Sequence, residues 1–286
     1  MIRVLGIIFL HIAAFGSIFY IYTKKKNEIK WQTILLQFMF LILSQISITG
    51  GYHRLWSHRS YEAHSILELF YLFFGTMATQ SSVIQWVKEH RTHHRNEEKI
   101  GDPYNINEGL WHAHIGWLLK DHNIKTKQEI RKTDVSDLEN RTIFKIQDYY
   151  YILLWITISL IIPTLICMLW KDGKNGFFLN FIRIIVVLHM TWCVNSFAHY
   201  IGSKPYDKNL KASDNFFVSF ITFGEGWHNY HHSNPKDYRC SPVNKYNPTE
   251  WFINFTKLLG LSKNHKVKDK NINNDKFDLK NYKNIS

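Results

Sequence analysis

Residues 149–170 read YYYILLWITISLIIPTLICMLW, and residues 177–198 read FFLNFIRIIVVLHMTWCVNSFA. Each run is 22 residues long; the first carries no charge and the second is interrupted by Arg183 and His189. About 20 apolar residues in a helix cross the hydrocarbon core of a bilayer. The polar stretch 171–176, KDGKNG, joins the two runs, so together they read as a transmembrane hairpin. Working outward, Val4 to Tyr22 gives 19 uncharged residues with His11 inside, and Trp31 to Ile48 gives 18 with Gln32, Gln37 and Gln45. Arg3 and the small residues Ala13, Ala14 and Gly16 give the first run some signal-peptide character. It stays apolar to Tyr22, longer than an ordinary signal-peptide core, and is read as a span. The expected spans are about 4–22, 31–50, 149–170 and 177–198.

The average composition hides this segregation. The 286 residues are 45% hydrophobic and 20% charged, with a mean hydropathy of −0.22, which would suit a soluble protein. The polar share lies in segments 51–148 and 199–261 and in a Lys/Asn-rich stretch, 262–286, expected to be disordered. Three cysteines, Cys167, Cys193 and Cys240, cannot build a disulfide framework. Ile66 to Thr79 is apolar but has 14 residues with Glu68 inside, which suits an interfacial or re-entrant helix better than a span. The expected architecture is a single membrane domain over 1–261: an all-α integral membrane protein of four spans with a helical cap from 51–148 and 199–261.

Sixteen histidines exceed the 14 glycines, and nine of them fall in ordered motifs. His90, His93 and His94 share the spacing i, i+3, i+4 with His228, His231 and His232. On a helix that spacing puts three imidazoles on one face. His53 and His58 are five apart, about 140° around an α-helix, so they reach one point only if the helix ends or unwinds; otherwise they suit two neighbouring ions. Asn195 and His199 are four apart at the end of the fourth run. The hairpin returns the chain to the side it left, so all these motifs share one aqueous face. Imidazole is the commonest protein metal ligand, and nine exceed what one tetrahedral zinc uses, so the count suits two ions of higher coordination. His11, His64, His112, His114, His122, His189 and His265 read as structural or solvated.

The phrases GYHRLWSHRS (51–60), EHRTHH (89–94), NSFAH (195–199) and GEGWHNYHH (224–232) closely resemble the membrane acyl-CoA desaturases of stearoyl-CoA desaturase type. HIGWLL (114–119), DVSDL (134–138), PYDKN (205–209) and INFT (253–256) support the likeness, which runs from about Gly50 to Leu261. The resemblance implies a four-span fold in the endoplasmic reticulum membrane, with the cap and both termini cytosolic and two iron ions in the cap. One iron would take His53, His90, His93 and His228, with Asn195 through a water; the other would take His58, His94, His199, His231 and His232. It implies oxygen-dependent removal of two hydrogens from a saturated acyl-CoA, stearoyl-CoA or palmitoyl-CoA, at the delta-9 position. Electrons would come from cytochrome b5 and its reductase, and membrane lipid surrounds the spans. Trp86, Lys88 and Trp192 match positions near the substrate. Ser81, Ser82 and Asp121 depart from the family pattern, so the CoA contacts are expected to differ.

A membrane hydroxylase or sphingolipid desaturase would use a similar centre, and a non-redox zinc protein is the alternative of another class. The net charge of +12 calls for no nucleic-acid partner. Segments 51–148 and 199–286 hold 13 and 14 Lys+Arg, which favours a cytosolic cap, whereas Lys24, Lys25, Lys26 and Lys30 crowd the opposite loop. Asn140 and Asn254 begin glycosylation sequons that a cytosolic cap would leave unused.

Overall fold

The computed structural model describes residues 2–23 and 29–268; Lys24, Lys25, Lys26 and the tail from 269 onward lie outside the described residues. Among the described residues, four helices are long and apolar enough to span a membrane: α1 (Ile2–Thr23), α2 (Trp31–Ile46) continued by a π-helix over Ser47–Ser57, a third over Tyr151–Met168 and a fourth over Gly173–His199. Over the second span 56% of the apolar window is buried, against 17% in the first, so the second is central and the first peripheral. The outward face of α1 shows Leu5, Ile8, Phe9, Ile12, Phe15 and Phe19, side chains that a bilayer covers without cost. One polar network ties the bundle together: Gln37 Nε2 donates to Asn180 Oδ1 at 2.8 Å, and Arg183 donates to Gln37 Oε1 at 3.0 Å and to the Ser159 carbonyl at 2.7 Å.

The apolar stretch after the second span forms α3 (Ser65–Met77), 13 residues lying against the π-helix. Its Tyr71 ring is why two glycines stand at 50–51: a Cβ on Gly51 would lie 2.6 Å from the Tyr71 Cβ. The cap continues with α4 (Val83–Asn96) and α5 (Ile124–Lys132), each started by a polar side chain that accepts a backbone N–H, Ser82 from Gln85 and Asn123 from Thr126. Then come α6 (Thr142–Tyr149), the third span α7 (Tyr151–Met168) and the fourth α8 (Gly173–Ser196), closed by a 3-10 turn, Phe197–His199. The last cap helices are α9 (Phe216–Ile221), α10 (His228–Ser233) and α11 (Pro248–Leu258). A core of Tyr52, Trp56, Tyr71, Val83, Val87 and Phe144 fixes α3, α4 and α6 on the π-helix.

Two expectations are corrected. The second span does not end near residue 50: it runs unbroken to Ser57 by changing to π-helical bonding. The disordered tail does not begin at 262. β1 (Glu62–Ala63) pairs antiparallel with β2 (Ser262–Lys263), Lys266 N–H donates to the Ser60 carbonyl, and His265 stacks on Tyr61 with ring centroids 5.5 Å apart. Charge-rich composition hid this return because the pairing is made by backbone groups.

Candidate metal centre

Each motif is placed by neighbours that its own sequence supplies. Arg91 of α4 donates to the Ser57 carbonyl at 3.1 Å and the Trp56 carbonyl at 2.7 Å, and pairs with Asp137 at 2.8 Å, tying α4 to the end of the π-helix. Buried Arg54 donates to Glu225 at 2.7 and 3.0 Å and to Asn247 at 3.1 Å, so the first and last histidine motifs share one ion pair. Within the π-helix the His58 N–H donates to the His53 carbonyl at 3.1 Å. This i→i+5 bond widens the turn and stacks residues five apart, so His53 and His58 face one point after all.

The nine rings divide into a group of five, His53, His58, His90, His94 and His231, and a group of four, His93, His199, His228 and His232. Within each group one ring nitrogen per residue lies within 4.8 Å of all the others. The closest approaches are His58 Nε2 to His90 Nε2 at 2.9 Å, His53 and His94 to His231 at 3.1 Å, and His199 and His232 to His228 at 3.0 Å. The division implied by the resemblance is thereby corrected: His58, His94 and His231 sit with His53 and His90, while His93 and His228 sit with His199 and His232. In α4 the residue i+3 from His90 points to the second group and the residue i+4 to the first.

The electrostatics favour free lone pairs. Burial, reinforced by neighbouring rings, pushes His58, His90, His94, His231 and His232 well below the ordinary histidine value and His228 down to about 3. Neutral imidazoles are the form that binds a cation. Three carboxylates back the rings from outside: Asp102 on His93 Nδ1, Glu225 on His53 Nδ1 and Glu97 on His232 Nδ1, each at 2.8 Å. Such partners fix the tautomer and turn Nε2 inward. Burial lowers His93 but the Asp102 charge and hydrogen bond outweigh it and raise the ring. Burial would raise Glu225, yet Arg54 and His53 hold its carboxyl at about 2, whereas burial lifts Glu97 to about 7. So many buried ring nitrogens converging within hydrogen-bond distance, backed by acids, fit two cations. Sequence reasoning missed the three acids; the signals were Glu225 inside the last motif and the Asp102–Pro103 turn after α4.

A cavity of about 280 Å³ opens beside the centre, and its walls include Trp86, His90, Tyr104, Trp192 and Asn195. A second, narrower pocket of about 40 Å³ shares Trp86, His90, Thr191 and Asn195 with it and is lined also by Val194, by Gln45 and Ile48 of the second span, and by His53, His93 and His228. Trp86 stacks on His90 at 4.9 Å between centroids. Trp86 and Trp192, expected near the substrate, both line the cavity. Lys88 does not: its ammonium lies 3.6 Å from Glu139, outside the cavity lining. Ser81 lines the cavity, Ser82 caps α4 and bonds Asp148, and Asp121 pairs with Lys127 at 3.1 Å.

A sequence model described as fatty acid desaturase matches residues 29–240. Acyl-CoA desaturase 1 of Saccharomyces cerevisiae is 40% identical over 240 residues, 83% of this chain and 46% of that protein. Delta(9)-fatty-acid desaturase fat-6 of Caenorhabditis elegans is 39% identical over 238 residues, 82% and 70% of the two chains. Stearoyl-CoA desaturase 5 of Bos taurus is 38% identical over 238 residues, 82% and 71%. The chain thus spans about half the length of the yeast relative and over two thirds of the other two.

Proposed function

This chain belongs to the fatty acid desaturase family, and from that premise we propose that it desaturates a saturated long-chain acyl-CoA at the delta-9 position, with two iron ions in the imidazole groups. The observation that carries the reading is the pair of converging histidine groups, members of both of which, His53, His90, His93 and His228, line a narrow pocket that reaches the second span. The overall change is acyl CH2–CH2 plus O2, two electrons and two protons, giving CH=CH and two waters. Bound iron would supply the oxidising power that an unactivated C–H bond demands. The first ion falls to His53, His58, His90, His94 and His231, the second to His93, His199, His228 and His232 with Asn195 beside them.

The protein's own part is orientation. Trp86 and Trp192 narrow the cavity, so a flexible chain threading toward Thr191 and Val194 presents one methylene pair to the histidine wall. Asp102, Glu97 and Glu225 hold the rings against rotation while the chain passes. Electrons would come from cytochrome b5 and its reductase at the cytosolic face of the endoplasmic reticulum, in keeping with the basic cap. The test is the fatty-acid profile of a desaturase-deficient host expressing the chain. Cis-9 monounsaturated products are expected. A hydroxylated acyl chain without an alkene, or a double bond at another position alone, would overturn the reading.

A further inference from the structure

Three histidines outside the centre form a line inside the bundle. His11 of α1, His189 of α8 and His114 of the turn before Trp117 meet end to end: His11 Nε2 is 3.2 Å from His189 Nε2, and His189 Nδ1 is 2.9 Å from His114 Nε2. The outer nitrogens meet oxygen, His11 Nδ1 at 2.8 Å from the Ile7 carbonyl and His114 Nδ1 at 2.9 Å from Ser196 Oγ. Counting hydrogens sets the direction. A carbonyl only accepts, so His11 carries its hydrogen on Nδ1 and accepts at Nε2. His189 therefore donates from Nε2 and accepts at Nδ1, and His114 donates from Nε2; the single hydrogen of the Ser196 hydroxyl has two acceptors beside it, the Trp192 carbonyl at 2.8 Å and His114 Nδ1 at 2.9 Å. Three neutral rings in this one direction satisfy the Ile7 carbonyl and both ring-to-ring contacts, which fixes the three tautomers. No metal is called for, because both nitrogens of His189 are used along the line.

The line wraps one residue. Trp192 is stacked on His11 at 6.2 Å and 12°, edge-on to His189 at 4.9 Å and edge-on to His114 at 5.9 Å. Trp192 also lines the 280 Å³ cavity, whose wall includes Ile7 and Leu188, neighbours of the same chain of rings. Lipid tails give α1 no hydrophobic reason to stay against α8, so interhelical polar contacts carry more of its docking. Besides this line, Arg3 anchors α1 by donating to the Trp117 carbonyl at 3.1 Å.

We propose that His11, His189 and His114 are positioning residues that hold Trp192 and α1 as the wall of the acyl cavity, and so fix where along the chain the substrate reacts. The inference rests on the acyl-CoA reading above. The test uses the full-length protein in lipid nanodiscs, a non-hydrolysable stearoyl-CoA thioether for equilibrium binding, and the positions of the double bonds formed from stearoyl-CoA. His189→Leu is expected to weaken thioether binding about tenfold and to spread the double bonds over neighbouring carbons, since small displacements of a reacting chain are costly. His189→Gln, which keeps a donor and an acceptor, should restore most of both. In Trp192→Leu, adding His189→Leu should change little further, because the line acts through that ring. A His189→Leu protein that binds as tightly as wild type and yields one positional isomer overturns the proposal. If that variant does not accumulate, His11→Leu is read by the same two outcomes. Wild-type protein that does not bind the thioether at all instead overturns the acyl-CoA reading, and with it this one.

Discussion

The same side chain builds two opposite structures in this molecule. In the cap, nine imidazoles converge on two points, with nitrogens 2.9–3.1 Å apart and three of the rings backed by carboxylates. Where the first and fourth spans meet the cap, three imidazoles run in a line, backed by a carbonyl and a hydroxyl. The difference lies behind the rings rather than in them. A carboxylate on Nδ1 keeps that hydrogen in place and leaves Nε2 free for a cation; a carbonyl and a hydroxyl at the two ends use up every nitrogen in hydrogen bonds. Spacing in the sequence finds candidates, and the outer partner decides which role each takes.

The comparison breaks most sharply at His94. His94→Ala should remove turnover and lower bound metal while the protein still inserts in the membrane, whereas loss of His189 should leave the metal count unchanged. Full activity in His94→Ala, or metal loss in His189→Leu, would undo the distinction. Next in size is Asp102→Asn, which keeps the shape but removes the charge on His93; metal affinity or activity should fall about 10–100-fold. An unchanged metal affinity would mean the acids do not set the rings.

Acid should separate the cap centre as well. His58, His90, His94, His231 and His232 titrate below the unfolded value of about 6.5, and His228 near 3. Above about 6.5 both states are neutral there and nothing is lost. As pH falls below that value the unfolded chain takes up protons first, so metal-stripped protein should lose stability progressively toward pH 3. Thermal unfolding at pH 7.5 and 5.5 checks this, and a higher melting temperature at 5.5 would contradict it. The smallest effect belongs to a histidine in neither group. His265 stacks on Tyr61 and lies 3.0 Å from Ser262 Oγ, so His265→Gln should cost about 1 kcal/mol of stability and no metal.

Much of this was legible in the sequence. Length and lack of charge mark the four spans, because a bilayer imposes both, and the i, i+3, i+4 spacing marks α4 and α10. Other features leave no local pattern. The π-helix that aligns His53 with His58 depends on a change of hydrogen bonding that spacing alone cannot reveal, so the division of ligands between the two groups came out differently. The strand pairing of Ser262 and Lys263 with Ala63 and Glu62, and the His265 stack on Tyr61, join residues about 200 positions apart. His11, His114 and His189 read singly as packed residues, since their partnership exists only after three distant segments meet. The Lys88–Glu139 pair likewise joins residues about 50 positions apart, which no local pattern announces.

The central claim is that the cap holds two metal ions, one per imidazole group. Elemental analysis of protein purified from iron-replete cells measures it directly. Two iron atoms per chain are predicted, falling in His94→Ala but not in His189→Leu. One metal atom or fewer per wild-type chain would contradict the account.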